Sequence, residues 1–241
     1  MRHTALFNGI GGFMLAAQWM GWENVDSVEI DPWCNKIIKK NFPNVNRYYD
    51  IKEYKGVKGS ADVISAGVPC QPASTAGERK GKDDDRWLWD EFTRTVREVK
   101  PPYVVCENVA GLVSLDDGKA LDGILLDLEG EGYETEQFII PACGVGAWHR
   151  RDRIWIIAYT KRGRSQGQRP LLGQMQSEAF NNREADRFLD TIQREARPYY
   201  NRDHYGVSRK LDENRIRGLG NAIVPQVAFE IFKAIETINN K

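Results

Sequence analysis

The stretch ALFNGIGGF, residues 5–13, decides the fold class of this 241-residue chain. Residues 4–8 are typical of a short apolar strand, and after a glycine-rich turn apolar residues recur at helical spacing from Phe13 to Met20. Glycines in such a turn let a ligand approach the backbone, and the start of the helix offers unpaired N–H groups. The stretch therefore predicts the first strand, turn and helix of an α/β domain that binds a ligand.

The same alternation continues to residue 160. The further predicted elements are strand 25–30, helix 32–41, strand 62–66, helix 86–99, strand 103–107, helix 121–128, strand 134–140 and strand 154–159. Strands separated by helices predict a doubly wound, mostly parallel sheet, in which ligands bind at the carboxyl ends of the strands. After it, residues 218–225 predict a turn, and the residues that follow predict a terminal helix with one apolar stripe.

Composition and the amino-terminal residues exclude several classes of protein. No apolar run reaches the roughly 18 residues that predict a membrane span, and the first residues lack the apolar core of a signal peptide. The four cysteines lie 36 or 37 residues apart and form no zinc-binding pair. We therefore expect a cytoplasmic protein that contacts no membrane and holds no structural metal.

The formal net charge is zero, yet the charges are unevenly distributed along the chain. Residues 1–160 carry 19 basic and 24 acidic side chains, whereas residues 161–217 carry 13 basic and 8 acidic ones, and 11 of those 13 are arginines. Residues 161–210 also break the strand and helix pattern, and about 50 residues is long for a structureless connection. Because arginine is preferred for phosphate and base-edge contacts, this segment predicts a functional insertion that contacts nucleic acid.

An acid follows the second predicted strand at the spacing expected of a nucleoside site. Glu29 lies 20 residues after Gly9, where a carboxylate can accept hydrogen bonds from ribose hydroxyls. The strand, turn, helix and acid together predict an adenosine-type cofactor. The residues themselves leave NAD, FAD and S-adenosylmethionine open, and a merely structural turn is the alternative.

Cys70 lies in the sequence GVPCQP, residues 67–72, directly after the predicted strand 62–66. Two prolines stiffen the loop, which suits a nucleophile that must be held in one orientation. A thiol reacts as the thiolate, and charged residues that could support it follow the loop. We therefore expect Cys70 to be a nucleophile at the carboxyl edge of the sheet, and a buried structural cysteine is the alternative.

Two further sets of charged residues adjoin predicted strands. Glu107 ends the apolar strand 103–107 and should point into the same crevice as Cys70, either as a helix cap or as a proton-transfer group with a raised pKa. Arg151 and Arg153 precede the strand 154–159, and strand alternation places both on one face. Paired arginines can hold an anion or clamp a substrate, and a solvated charge run is the alternative.

Taken together, these motifs resemble those of the cytosine-C5 DNA methyltransferase family, and they occur in the order of that family. The matching motifs are Phe7-x-Gly9-x-Gly11, Glu29, Asp50-Ile51, Pro69-Cys70-Gln71, Glu107-Asn108-Val109, Arg151-x-Arg153 and Gly220-Asn221-Ala222-Ile223-Val224-Pro225. The resemblance covers residues 1–160 and 215–241. Two departures occur beside the arginine pair, since His149 stands where the family usually carries Gln and Trp148 stands where Pro is common.

This resemblance implies an α/β, Rossmann-like, S-adenosylmethionine-dependent methyltransferase fold with a small target-recognition region. It further implies a DNA (cytosine-5-)-methyltransferase in which Cys70 adds to carbon 6 of a flipped-out cytosine and carbon 5 takes the methyl group. The catalytic residues that it implies are Cys70, Glu107, Arg151 and Arg153. The cofactor-binding residues that it implies are Phe7, Asn8, Gly9, Gly11, Gly12, Glu29, Ile30, Asp50, Ile51, Pro69, Leu88, Asn221 and Ala222. No metal ligand is expected.

The same resemblance divides the chain into a catalytic domain, residues 1–160 closed by 215–241, and an abbreviated target-recognition region, residues 161–214. Residues 77–86 are the natural mobile loop to close over the flipped base. The implied substrate partner is duplex DNA, and a cognate restriction endonuclease is a further partner of such enzymes. We expect a monomer in a bacterial cell, and the recognition region has the size seen in short phage or prophage relatives.

Other activities compete with this one. A tRNA cytosine-C5 methyltransferase of the same fold would use the same chemistry, and a short recognition region imposes little duplex-specific surface. A nicotinamide- or flavin-dependent oxidoreductase would use the glycine-rich turn but gives Cys70 and Glu107 no role. A DNA-binding protein with a degenerate enzyme domain is disfavoured because both of these residues are present.

Overall fold

A computed structural model describes residues 1–69, 88–160 and 217–239 of the chain. The strands of this part are β1 (Arg2–Leu6), β2 (Glu23–Val28), β3 (Asn46–Tyr48), β4 (Val63–Ala66), β5 (Tyr103–Val109), β6 (Glu134–Pro141) and β7 (Asp152–Tyr159). Its α-helices are α1 (Gly12–Trp19), α2 (Pro32–Asn41), α3 (Trp89–Val99), α4 (Lys119–Gly130) and α5 (Pro225–Asn239), and residues 217–221 are also helical. Short 3-10 segments cover Ala110–Gly118 and Ala142–Val145.

The seven strands form one sheet in the order β3-β2-β1-β4-β5-β7-β6. The pairs from β3 through β5 are parallel, and β7 runs antiparallel to both of its neighbours. The chain moves outward from β1 to β3 and then returns to β4 on the other side of β1. The carboxyl ends of β1 and β4 therefore diverge at a switch point, which is where open α/β sheets bind ligands. The predicted mostly parallel, doubly wound sheet is confirmed.

Helices cover both faces of the sheet. Helices α3 and α4 pack on one face through a core that includes Phe92 and Ile124, whereas α1, α2 and α5 pack on the other through Phe13, Ile38 and Phe232. The predicted apolar stripe of the terminal helix is confirmed in α5, where all five of its members are buried: Val227, Ile231, Ala234, Ile235 and Ile238. Burial on both faces explains the unbroken apolar runs Tyr103–Cys106 in β5 and Ile154–Tyr159 in β7.

Local signals in the sequence fixed some helix ends well and others poorly. Helix α2 has the predicted bounds because Pro32 occupies its first turn and the Asp31 Oδ1 accepts hydrogen bonds from the N–H groups of Trp33 and Cys34 at 2.7 and 3.2 Å. The predicted turn at 218–225 is wrong in its first part, since residues 217–221 are helical. There Gly218 serves close packing, because a Cβ on it would overlap the Trp33 ring.

No pattern in the sequence predicts β3. This strand has three residues and lies at the edge of the sheet, where Asn46 and Tyr48 are exposed. Because an exposed edge strand needs no apolar run, its residues lack the pattern on which strand prediction depends. Its consequence for the site is that Asp50 follows a strand, as Glu29 does.

The turn after β1 depends on left-handed backbone. Gly9 has a φ of +54° and Gly11 a φ of +94°. A Cβ on Gly9 would meet no atom within 4 Å, so Gly9 is required by its conformation and not by crowding. The open space beside it leaves the backbone accessible at the carboxyl edge of the sheet.

Candidate active site

A cleft of about 680 Å³ opens at the carboxyl edge of the sheet, and this volume lies within the usual range of small-molecule sites. Twelve of the predicted site residues line it: Phe7, Gly9, Glu29, Ile30, Asp50, Ile51, Pro69, Leu88, Glu107, Arg151, Arg153 and Asn221. The topology therefore brings nine of the predicted cofactor-binding residues and three of the predicted catalytic residues into one cleft.

Glu29 directly follows β2 and holds the turn that follows β1. Its Oε2 accepts a hydrogen bond from the Gly9 N–H, and its Oε1 accepts one from the Asp31 N–H, both at 2.7 Å. Burial raises the pKa of this carboxyl, against the lowering effect of the backbone donors. Each oxygen has further acceptor capacity, so the carboxylate can also bind a pair of ligand hydroxyls.

A second wall of the cleft follows β3. The Asp50 Oδ1 accepts a hydrogen bond from the Lys52 N–H at 2.9 Å, which fixes the carboxylate within the turn. Ile51 is buried behind it, whereas Ile30 is 71% exposed at the cleft. Apolar walls with a few fixed polar groups are typical of sites that hold a flat heterocycle in one orientation.

Two charged residues of the cleft lining, Glu107 and Arg153, form an ion pair. The Arg153 Nε lies 2.9 Å from the Glu107 Oε1, and Glu107 is 8% exposed. Burial raises the pKa of Glu107 to about 7, although the charges of Arg153 and Arg151 and the hydrogen bond from Arg153 lower it. Desolvation outweighs both arginines, so this carboxyl can carry a proton near neutral pH and donate a hydrogen bond.

Arg151 joins the start of β7 to the segment before α5. Its Nη2 donates hydrogen bonds to the backbone oxygens of Gly220 and Ala222, at 2.8 and 2.7 Å. Burial and the neighbouring Arg153 lower the pKa of Arg151. The contacts show that Arg151 holds residues 217–224, the closing segment, against the cleft. Of the two arginines, only Arg153 forms an ion pair with Glu107.

With this geometry in view, comparison with known proteins identifies the family. The model of the C-5 cytosine-specific DNA methylase family matches residues 1–217. The chain belongs to this family. S-adenosylmethionine is the cofactor of the family, and the family is an enzyme family, as the sequence predicts. The match gives the tRNA alternative less support than the DNA alternative. It also favours a methylase over the nucleotide-dependent oxidoreductase.

Similar proteins include bacterial modification enzymes. Type II methyltransferase M.HgiCII of Herpetosiphon aurantiacus is 29% identical over 99% of this chain and 54% of its own length. The chain spans about half the length of the curated relatives it matches.

Solved structures share the fold. A DNA modification methyltransferase encoded within an E. coli prophage is 27% identical, with a TM-score of 0.57 over 67% of this chain and 47% of that chain. DNMT2 of Spodoptera frugiperda is 17% identical, with a TM-score of 0.64 over 98% of this chain and 99% of that chain. These likenesses confirm the Rossmann-like methyltransferase fold.

Four residues predicted to bind the cofactor lie outside the cleft lining: Asn8, Gly11, Gly12 and Ala222. The Asn8 Nδ2 donates to the Ser27 Oγ at 2.8 Å, inside the sheet. A Cβ on Gly11 would come within 2.9 Å of the Phe42 ring, and one on Gly12 within 2.7 Å of the Ile223 Cγ1. These glycines are therefore needed for the close approach of α2 and the closing segment, whatever further contact the backbone makes with a ligand.

Several predictions fall on residues that the structure leaves undescribed. Cys70, the loop 77–86 and the recognition region 161–214 lie outside the described residues. Pro69 lines the cleft as the last described residue before Cys70, and Leu88 lines it after the gap.

Other cleft residues were missed by the sequence reasoning. Arg217 forms an ion pair with Asp31, and Trp33 and Cys34 also line the cleft. Asp31 caps α2 and binds Arg217 through its other oxygen, so it connects the end of the second strand to the segment before α5. The signal for Asp31 and Trp33 was available, since both lie within four residues after Glu29 at the strand end. No local signal reveals Arg217, because its partner lies 186 residues away.

The described residues hold no group of three or more His, Cys, Asp or Glu side chains suited to a metal ion. None of the helices in this part of the chain is long and apolar enough to cross a membrane.

Proposed function

We propose that this chain is a DNA (cytosine-5-)-methyltransferase that acts on a flipped-out cytosine in duplex DNA. The observation that carries the proposal is the shared cleft, in which the ion pair of Glu107 and Arg153 lies with the nucleoside-type acceptor Glu29. Family membership supplies the reaction class. The cleft supplies this chain's own residues for it.

The residues of the cleft fit S-adenosylmethionine. We propose that Glu29 binds the ribose hydroxyls through its free acceptor capacity, and that Ile30 packs on the adenine beside Asp50 and Ile51. The bound cofactor supplies a methyl group on a positively charged sulfur, which a carbon nucleophile can attack. The rest of the proposed binding surface consists of five further cleft residues: Phe7, Gly9, Pro69, Leu88 and Asn221.

Cytosine must be activated because its carbon 5 is a poor nucleophile. In the proposed mechanism the Cys70 thiolate forms a bond to carbon 6, and the displaced electron pair moves into the ring toward carbon 5 and N3. A protonated Glu107 donates its hydrogen bond at N3 and stabilises the charge that develops there. After carbon 5 has taken the methyl group, loss of the carbon 5 proton to a base and breakage of the sulfur–carbon bond restore the aromatic ring and the thiolate.

Arg153 has a positioning role in this mechanism. Its hydrogen bond to the Glu107 Oε1 fixes the carboxyl plane, which leaves the Oε2 to carry the proton toward the base. Burial keeps the proton on Glu107 near neutral pH, and Arg153 orients the protonated carboxyl toward the cytosine. Arg151 supports the reaction from further away by holding the segment at Gly220 and Ala222.

The arginine-rich segment is the proposed DNA contact. We propose that residues 161–214 form the target-recognition region of a catalytic domain made of residues 1–160 and 215–241. The charge of residues 161–217, 13 basic against 8 acidic side chains, supports this assignment because phosphate neutralisation dominates DNA affinity. A monomer that acts in the cytoplasm of a bacterium, encoded by the host or a phage, is the proposed form. A restriction endonuclease of matched specificity is its proposed partner, since similar proteins are type II methyltransferases.

Transfer of a labelled methyl group tests the proposal directly. Duplex DNA and tRNA are incubated separately with labelled S-adenosylmethionine and with wild type, Cys70→Ala or Cys143→Ala. We expect labelled DNA, unlabelled tRNA, no transfer by Cys70→Ala, and normal transfer by the control, because Cys143 is exposed and outside the cleft lining. Binding of the cofactor by Cys70→Ala should persist. Full activity of Cys70→Ala would overturn the proposed nucleophile, and labelled tRNA with unlabelled DNA would overturn the proposed substrate.

A further inference from the structure

The middle of α3 carries an arginine that uses all three guanidinium nitrogens. The Arg94 Nε donates to the Glu91 Oε2 and its Nη1 donates to the Glu98 Oε1, both at 2.8 Å. Its Nη2 donates to two backbone oxygens outside the helix, that of Ile51 at 2.7 Å and that of Tyr54 at 3.0 Å. A guanidinium can hold these partners together because its donors are fixed in one plane.

The two carbonyls belong to the turn that follows Asp50. A further backbone contact comes from the same helix, where the Glu98 Oε2 accepts a hydrogen bond from the Gly56 N–H at 2.8 Å. Residues 51–56 have no strand or helix of their own, so the side chains of α3 supply partners that regular structure would otherwise provide. Arg94 and Glu98 therefore fix this turn by three of its backbone groups.

The turn is part of the cleft. Asp50, Ile51 and Lys52 line the cleft, and so does Leu88, the residue just before α3. Helix α3 thus begins beside the cleft and holds another wall of it through Arg94 in its middle. Arg94 itself does not line the cleft.

We infer that Arg94 is a positioning residue for S-adenosylmethionine, acting through the Asp50–Ile51 wall. The inference rests on the proposed function, which assigns that wall to the adenine of the cofactor. An ordinary ion pair on a protein surface contributes little to stability. Arg97 on the same helix forms such a pair with Glu131, and its side chain is 58% exposed. Arg94 is 23% exposed and additionally binds the backbone of the cleft wall.

The test compares Arg94→Ala and Arg94→Lys with the matched control Arg97→Ala. Two quantities are measured without turnover: the Kd for S-adenosylmethionine by calorimetry, and amide hydrogen exchange over residues 51–56. We expect Arg94→Ala to raise the Kd about tenfold, the size of one or two lost hydrogen bonds, and to speed exchange in this turn. Arg94→Lys keeps the charge but not the planar fork, so it should raise the Kd by a smaller factor. Arg97→Ala should change neither quantity.

Kinetics then separate positioning from a general loss of structure. For Arg94→Lys we expect a raised KM for S-adenosylmethionine, with kcat and the KM for DNA within about twofold of wild type. A folded Arg94 variant with wild-type Kd would overturn the inference while leaving the proposed function intact. Equal losses in kcat and in both KM values would also overturn it, because they indicate a general defect. A wild-type protein that fails to bind S-adenosylmethionine would overturn the proposed function and this inference with it.

Discussion

Glu107 and Arg153 lie diagonally across the antiparallel ladder of β5 and β7, with the Arg153 Nε 2.9 Å from the Glu107 Oε1. The register pairs Glu107 with Trp155 and Val109 with Arg153, so the two charged side chains share one face of the sheet. The sheet itself therefore sets the distance between them, and no flexible loop intervenes.

Glu107→Gln should reduce turnover by roughly 10²-fold or more, because an amide N–H is a far weaker acid than a protonated carboxyl and stabilises less of the charge that develops at N3. The Kd for S-adenosylmethionine should stay within about twofold of wild type, since Glu29 and the Asp50 wall are unchanged. Single-turnover methylation of duplex DNA measures the effect, with Glu134→Gln on the exposed start of β6 as the control. Unchanged rates in Glu107→Gln would make this acid structural.

The acidity of Glu107 predicts the pH dependence of the reaction. Burial raises its pKa from 4.5 to about 7, so its protonated form is lost as the pH rises through 7. We expect kcat/KM to fall about tenfold per pH unit above that value, and Glu107→Gln to lack this alkaline decline. A wild-type profile that stays flat from pH 7 to 9 would contradict the assigned proton.

The same pKa also affects stability, and the sign is opposite to that of an ordinary salt-bridged acid. Because the folded protein holds the Glu107 proton more tightly than the unfolded chain, stability is lost as the pH rises from about 4.5 through 7. The shift corresponds to about 3 kcal/mol. Chemical denaturation measures the free energy of unfolding at pH 5 and at pH 8. The difference between the two values should be smaller for Glu107→Gln than for wild type.

Strand ends were the most informative part of the sequence. Glu29 and Glu107 could be assigned to one cleft from their positions alone, because parallel strands bring their carboxyl ends to one edge of a sheet. Asp50 could be assigned only through family resemblance, since the short edge strand before it has no apolar pattern.

Long-range side-chain contacts could not be predicted. Arg94 lies 43 residues from Ile51, and Arg151 lies 69 and 71 residues from Gly220 and Ala222. Such partners depend on how helices and loops pack after the sheet has formed, and no spacing in the chain encodes them. For the same reason Gly12 reads as a ligand contact in the sequence, although its absent side chain makes room for Ile223 in the fold.

Glu29→Gln should weaken binding of S-adenosylmethionine by roughly 10- to 100-fold, the size of a hydrogen bond to a charged group. The carboxylate accepts from the N–H groups of both Gly9 and Asp31, and an amide can satisfy only one of them while offering a ribose fewer acceptors. Calorimetry measures the Kd, with Glu23→Gln at the exposed start of β2 as the control. Equal affinities in Glu29→Gln and wild type would contradict the ribose assignment.

Arg151→Lys should loosen the closing segment, because one ammonium group cannot reproduce the geometry of the guanidinium contacts to Gly220 and Ala222. We expect faster amide exchange over residues 218–223 and a raised Kd for S-adenosylmethionine. The control is Arg150→Ala, since the Arg150 side chain is 82% exposed and its ion pair with Asp152 lies at the surface. If Arg151→Lys instead keeps wild-type exchange and affinity, the hydrogen bonds to the closing segment have no role in cofactor binding.

DNA affinity should fall steeply with salt, and the arginine-rich segment should account for part of the slope. Each phosphate contact contributes about −0.9 to the slope of log K against log salt for duplex DNA. The double variant Arg162→Gln and Arg164→Gln should therefore bind DNA more weakly and reduce the slope by up to about 1.8, with cofactor affinity unchanged. The matched control neutralises Lys39 and Lys40 in the last turn of α2, which begins at the cleft and ends about 15 Å away from it. Because both double variants remove two positive charges, a general effect of net charge would change both slopes equally. Only a local contact with DNA changes the first slope and leaves the second as in wild type, and an unchanged slope in the arginine variant would remove these two residues from the DNA contact.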